Sequence, residues 1–342
     1  SANDASAFGN GNTSAGNSSS AMGFGNHAGG VYAVALGSYG TAIGRGSLAL
    51  SSFYAGEGTP NDLDLDGDGI GDASSQAATA VGNGAIAIGT GVMASGNHSI
   101  VVGANSQSTG EQSSLFGHYN TANGARAIVV GHGNDSGWGD DSTAIGRSNV
   151  NTLSGSLTVG VYNTTAGGVA LGSANYANEG SLAMGAGNSA NAPTSTAIAR
   201  DAESNGSGSL AVGGGLVMTS ADLAGDGSND TNLQRTRANG LNAVAMGVST
   251  LTNGDYGVAF GINAQAIGNY SSAFGINATS NANFSTAIGF GAVADRAYTI
   301  SVGSAGNERQ IVNVADGTQA TDAINLRQLN SAISGVVAGS TN

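Results

Sequence analysis

Ser181-Leu182-Ala183-Met184-Gly185 returns as Ala243-Val244-Ala245-Met246-Gly247 and again as Gly257-Val258-Ala259-Phe260-Gly261. The common form is small, apolar, Ala, apolar, Gly. With its last residue taken as an anchor, copies fall at 9, 23, 37, 51, 89, 103, 117, 131, 146, 160, 172, 185, 199, 213, 247, 261, 275, 289 and 303, Ser51 and Ala199 standing where the others have Gly. Of the eighteen intervals, thirteen are 14 residues and three more are 12, 13 or 15. A fixed period of this kind marks a repeat array, in which each unit contacts only its neighbours. The length of 342 residues therefore carries no count of globular domains.

Within the motif the period is two, which is a strand and not a helix. Ala occupies one face. Large apolar residues occupy the other, at the position before the anchor (Leu171, Met184, Val212, Phe274, Ile288) and two residues earlier (Ile100, Ile128, Leu157, Leu182). A second, weaker strand follows, with small residues three and five after the anchor: Ala264 and Ala266, Ala278 and Ser280, Ala292 and Ala294, Ser106 and Ser108. Gly often stands at position seven, as at Gly110, Gly124, Gly254 and Gly268, where turns are expected. Each 14-mer thus reads as strand, turn, strand, turn. Stacked at about 4.8 Å per coil, nineteen coils make a rod of roughly 90 Å. So narrow a coil holds Ala, Ser and Thr but not the Ile, Leu, Met and Phe before the anchor. A bare apolar stripe of that length is an aggregation hazard, so self-association about an axis parallel to the rod is expected.

Composition sets limits on function. The chain has 59 Gly and 2 Pro, no Cys, and no Lys, so all nine cations are Arg. Collagen is excluded because Gly does not recur every third residue. The net charge of −13 argues against nucleic acid or an anionic membrane surface as partner. The lack of Cys excludes a disulfide framework. No apolar run has the length of a membrane span and no signal peptide is read, so export and anchoring segments are expected outside this sequence.

Ser142-Thr143-Ala144-Ile145-Gly146 and Ser285-Thr286-Ala287-Ile288-Gly289 resemble the head repeats of the trimeric autotransporter adhesins, the YadA-like group. The C-terminal segment resembles that family's neck: Arg309-Gln310-Ile311-Val312-Asn313-Val314-Ala315-Asp316-Gly317, then Thr321-Asp322-Ala323-Ile324-Asn325, then Gln328-Leu329. Leu326, Leu329, Ile333 and Val336 or Val337 follow at heptad spacing, as a coiled-coil seam requires. The resemblance implies an all-β, left-handed parallel β-roll, a homotrimer, and a stalk and outer-membrane anchor further along. The expected division is a head over 1–306, a neck over 307–330 and the start of a coiled-coil stalk over 331–342.

Two intervals depart from the period. The interval 51 to 89 is 38 residues, or 14 plus 24, and 213 to 247 is 34, or 14 plus 20, giving insertions at about 52–76 and 215–237. Both begin soon after an anchor, so both are expected to leave the same turn. In the first, Asp64, Asp66, Asp68 and Asp72 take positions 1, 3, 5 and 9 of a loop, Gly69 takes position 6 and Ile70 offers a carbonyl at 7. This matches an EF-hand-like calcium loop, and four carboxylates in nine residues repel one another without a cation. The same stretch also reads as a solvated acidic loop. The second insertion keeps Asp222, Asp226 and Asp230 but has Ala224 at the third position, which makes it a weaker calcium site or a plain loop.

His118 and His132 each follow an anchor in adjacent coils, and Arg147 does so in the next, so stacking aligns them into a basic ladder fit for an anion, or an exposed polar column. Trp138, the only Trp, and Tyr54 in the first insertion read either as ligand contacts or as residues packed on their own loops. No nucleophile elbow or His–carboxylate arrangement is placed near a Ser, and the G-x-G fragments join no strand to a helix. With charged residues at 9 %, a polysaccharide-cleaving β-helix is disfavoured, and no Thr-x-Thr ladder supports ice binding. The expectation is a non-enzymatic bacterial adhesin head that attaches to host matrix protein, glycan, cells or abiotic surfaces through multivalent contact. The alternative is a trimeric β-solenoid spacer or phage-type fibre without a specific ligand.

Overall fold

The computed structural model describes residues 3–52, 77–214 and 235–339. Every anchor strand among them joins one parallel sheet of nineteen strands, from Ser6–Asn10 to Ile300–Ser301. The register places anchor on anchor: Gly9 opposite Gly23, Gly131 opposite Gly146, Gly160 opposite Gly172. The intervals of 12, 13 and 15 residues do not shift this register, so the odd residues are absorbed in the turns.

The second strands are two residues long and form parallel sheets of seven and ten. Between these sheets the coil that follows Gly131 contributes only Asp135, bridged to Thr121 on one side and Val150 on the other. The second sheet is therefore thinned, not broken, where the repeat gains one residue. Each coil is a flattened strand–turn–strand–turn, and the chain is a parallel β-solenoid.

The interior is built from the columns that alternation assigns to it. Ala183, Ala245 and Ala259 at the motif centre are fully buried, and so are Ala264, Ala266, Ala278, Ala292 and Ser280 of the second strand. The larger apolar residues inside are Val101, Leu115 and Val129, at the motif centre of three adjacent coils, and Val92, three residues after its anchor. The coil that ends in Leu115 carries only Ser106, Ser108 and Ser113 at its other inward positions, which leaves the volume the Leu fills.

Glycine serves two different ends. The Gly anchors from Gly9 to Gly289 lie at positive φ, and a Cβ on Gly146 would come within 1.9 Å of the Gly160 carbonyl oxygen in the next coil. At position seven the φ is ordinary, yet a Cβ on Gly110 would meet the Gly124 oxygen at 1.9 Å. There Gly is required by the close approach of coils, not by turn conformation. The left-handed turn positions are held largely by other residues, among them Tyr32, Arg126, Tyr256 and Tyr270. Their N–H groups are tied into the preceding coil, as Tyr270 N is to Asp255 O at 2.8 Å.

The coils resume early after the second insertion. Arg237–Ala238 pairs with Glu203–Ser204, and Thr236 is buried, so these residues belong to the roll although the spacing put them in the inserted loop over 215–237. The helix Leu326–Gly339 likewise begins inside the stretch expected as neck over 307–330. Asn325 caps it: its Oδ1 accepts the Gln328 N–H at 3.0 Å, and Gln328 Oε1 accepts the Asn325 N–H at 3.3 Å. This reciprocal capping box fixes the helix start.

Candidate functional site: the apolar face, the neck and the turn edge

The solenoid has two unlike outer faces. On the nineteen-stranded sheet the residues before the anchors form a continuous row that includes Phe8, Met22, Leu50, Phe116, Ile145, Met184, Phe260, Phe274 and Ile288, all exposed in the single chain. Phe260 keeps 55 % of its surface exposed. Toward the C-terminal end a second row, Ile262, Ile276 and Phe290, widens the same face. The outward positions of the second strands are mostly polar: Thr41, Thr79, Gln107, Thr121, Thr164, Ser189, Gln265 and Thr279. One face suits water and the other does not.

The neck ties the helix to the end of the roll. Gln328 Nε2 donates to Gly317 O at 3.0 Å, and Gly317 N donates back to Gln328 Oε1 at 2.9 Å. Asp316 accepts from Arg327 Nη2 and from Asn325 Nδ2, both at 2.6 Å, and these bonds, the Arg327 one foremost, hold its carboxyl below the usual range. Asp322 is held low by the backbone N–H groups of Thr318 and Gln319. Arg309 donates to Val302 O at 2.9 Å and also to Phe290 O, so its guanidinium covers carbonyls that another coil would otherwise meet. Leu326, Leu329 and Ile333 of the helix are exposed at their heptad spacing, an apolar seam without a partner in the single chain.

The turn after the first strand forms one edge of the roll. His118 lies opposite His132 and His132 opposite Arg147, so the basic ladder exists. The two imidazoles are 5.5 Å apart, with the Tyr119 ring 4.2 Å from the first and 5.7 Å from the second. The Arg147 guanidinium sits 5.1 Å from the Tyr162 ring centre. No cluster of three or more His, Asp or Glu fit for a metal forms among the described residues. Trp138 is 78 % exposed but belongs to the turn on the opposite edge, so it does not join the ladder. The chain leaves the described coils after Ser52 and after Gly214, both at the turn that carries Tyr119 and Tyr162. Tyr54, Asp64, Asp66, Asp68, Ile70 and Asp72, and Asp222, Asp226 and Asp230, lie outside the described residues.

Two columns escape a reading by polarity. Asn12, Asn26, Asn120, Asn134, Asn149, Asn163, Asn175 and Asn188 stand three residues after an anchor, and from Asn120 to Asn188 six consecutive coils carry one. Each of those six is buried and donates Nδ2 to the carbonyl four residues back and to the anchor carbonyl of the next coil, as Asn163 does to Val159 O at 3.1 Å and Gly172 O at 2.9 Å. The second column is Tyr256, Tyr270, Phe284 and Tyr298, stacked with ring centres 4.9 to 5.0 Å apart and planes within 7° of parallel. The recurrence of Asn at one offset, and of aromatics five residues before the anchor, was the available signal.

A parallel solenoid with one apolar outer face thus runs into a helix with an apolar seam. The YadA head domain repeat matches residues 14–39, 94–114, 238–264, 266–292 and 285–304, and the coiled stalk of trimeric autotransporter adhesin matches 310–342. A crystal structure of the collagen-binding domain of Yersinia adhesin YadA is similar at 21 % identity, over 76 % of this chain and 88 % of that one, with a TM-score of 0.24. Among curated proteins none matches. The matched repeats and the segment that follows them are thus similar to a YadA-like head and to the stalk of a trimeric autotransporter adhesin.

Proposed function

We propose that this chain is a homotrimeric, non-catalytic adhesin head. It is carried at the bacterial surface on a coiled-coil stalk and held by an outer-membrane anchor beyond this segment. It binds host matrix protein, glycan or another surface through many weak contacts made at once. The observation that carries the reading is the apolar face along the nineteen-stranded sheet, continued by the seam Leu326, Leu329 and Ile333. Three copies turned inward about an axis parallel to the rod remove both from water, and the polar face and the turn edges remain for partners. The family match supports three copies over two.

Light scattering on the purified head is expected to give three times the 32.9 kDa of one chain. Phe260→Asp together with Phe274→Asp buries charge in the interface and is expected to shift the mass to that of a monomer with its β content intact. A monomeric unmodified head would overturn the reading. Attachment of whole cells is expected to fall when purified head is added as competitor.

Calcium binding by the first insertion belongs to the same proposal, with Asp64, Asp66, Asp68, the Ile70 carbonyl and Asp72 as ligands and the Asp222, Asp226 and Asp230 loop as a weaker copy. The spacing of oxygens around Gly69 supports it. Calorimetric titration of the head with Ca²⁺ is expected to release heat that Asp66→Ala plus Asp68→Ala abolishes. Identical heats would remove calcium from the account.

A further inference from the structure

We propose that the outer side of the second strands carries a site for a carboxylate-bearing sugar, in a dent lined by Arg235, Arg237, Ser249, Leu251, Asn263 and Gln265. The repeat dictates how these six meet. Three residues after its anchor or, behind the second insertion, at the equivalent place, each of three successive coils turns one residue inward: Thr236, Thr250 and Ala264, all buried. The residues on either side of it therefore point outward. Register stacks Arg237, Leu251 and Gln265 into one column. Arg235, Ser249 and Asn263, each two residues earlier, form the column beside it. From the first coil to the third is about 10 Å along the rod.

Ser249 makes the dent. It is the small residue of its column, with Arg235 before it and Asn263 after it, and it is buried between them. Its N–H donates to Gly214 O at 3.2 Å, so the floor is fixed by backbone. The cavity is about 170 Å³, a size for one sugar residue and too small for a drug-sized ligand. At one end two guanidiniums offer the paired N–H donors that a carboxylate accepts. Ser249, Asn263 and Gln265 carry groups that both donate and accept, as sugar hydroxyls do. Leu251 supplies one apolar contact for a ring face or a methyl group. An Asp or Glu side chain would use the arginines but leave the amides and the Leu without a counterpart.

These groups are available to a ligand. Arg235 has no ion pair among the described residues, where the salt bridges are Arg126–Asp141, Arg237–Glu203 and Arg327–Asp316. Arg237 stands 3.8 Å from Glu203, too far for a hydrogen bond. Asp201 and Glu203 both belong to the coil before the arginines, on the side away from the dent. Asn263 donates Nδ2 to Asn277 Oδ1 at 2.9 Å, which leaves its own Oδ1 to accept. Beyond Asn263 and Gln265 the two columns continue as Asn277 and Thr279, both uncharged. The dent also stays open in the trimer. It lies on the second sheet and its turn, whereas the face that three copies turn inward belongs to the nineteen-stranded sheet.

The inference rests on the adhesin reading and adds a ligand class to it. The test is ligand-observed NMR titration of the full-chain head with N-acetylneuraminic acid, glucuronic acid, neutral N-acetylglucosamine and glucose, and a glutamate peptide. Saturable binding of at least one acidic sugar is expected, at least tenfold tighter than any neutral sugar or the peptide. Arg235→Gln with Arg237→Gln is expected to weaken it at least tenfold. Gln265→Trp keeps both charges but crowds the dent, and is expected to do the same. Arg45→Gln with Arg296→Gln removes as much charge from the turn before the first strand and is expected to leave binding unchanged. All variants are expected to keep the mass and β content of the unmodified head. The proposal falls if no acidic sugar binds, if the peptide binds as well, if the two double variants bind alike, or if the Arg235 and Arg237 variant loses its mass or β content. A head that competes for cell attachment yet binds none of these sugars loses this site and keeps the adhesin reading.

Discussion

Gly146→Ala is expected to cost about 4 kcal/mol or more and to part the coils on either side of the substitution. Two penalties combine. Gly146 has a φ of +122°, a conformation in which an L residue is strained by about 1–3 kcal/mol. The added Cβ would also lie 1.9 Å from the Gly160 carbonyl oxygen, which is backbone and cannot turn away. Relief requires the strand Thr143–Arg147 to separate from Leu157–Val161, and their ladder is lost. Ala199, the one Ala at an anchor, sits at a φ of +108°, and pairing between its strand and the next stops at Ile198 opposite Val212, as it also stops before the Gly anchors 247, 261 and 275, so the substitution at 199 is no guide to one at 146. The measurement is hydrogen exchange across residues 143–161, where protection should drop by several orders of magnitude while the terminal coils keep theirs. Unfolding of a stacked array is local, so a single global midpoint would understate the effect.

The close contact behind Gly146 marks how far sequence carries the fold. Strand period, coil length and inward Ala all follow from the motif, because alternation on a strand leaves no choice of face. The close contact behind each Gly does not follow, since it depends on how tightly coils stack. A Gly in a turn reads as conformational freedom, and at position seven that reading gives the wrong reason for the right residue. The basic ladder was legible from the equal offsets of His118, His132 and Arg147. The packing of Tyr119 against the two imidazoles and of Tyr162 against Arg147 was not, because these contacts cross from coil to coil and exist only when the coils align. The stacked rings of Tyr256, Tyr270, Phe284 and Tyr298 were hidden by their conformation. All four lie at positive φ, where Gly or Asn is the ordinary expectation, and cross-coil backbone bonds hold them there.

The asparagine column was hidden for a different reason, and it carries the other large prediction. Asn in a Gly-rich repeat reads as a turn residue on the surface. Here Asn163 is fully buried and its amide is completely used. The two Nδ2 hydrogens are shared among Val159 O, Gly172 O and Asn149 Oδ1, while Oδ1 accepts the backbone N–H and the Nδ2 of Asn175 at 3.0 and 3.1 Å. Asn163→Ala strands these partners inside the roll. At about 1–3 kcal/mol for a buried polar group left unpaired, a loss of about 3–5 kcal/mol is expected after partial relaxation. Asn163→Asp should be worse, because it keeps the shape but turns a donor into a charged acceptor that faces two carbonyls. Asn163→Thr should be the mildest of the three, and the chain supplies the precedent: Thr236 and Thr250 occupy the equivalent position and donate Oγ1 to the carbonyls of Gly247 and Gly261 at 2.6 Å. The order Thr, Ala, Asp in increasing damage, read by hydrogen exchange over residues 149–175 and by the denaturant midpoint, follows only if the amide works as a donor to the anchor carbonyls. If Asp were tolerated as well as Thr, the column would be filling space, and the hydrogen bonds from coil to coil would be incidental to it.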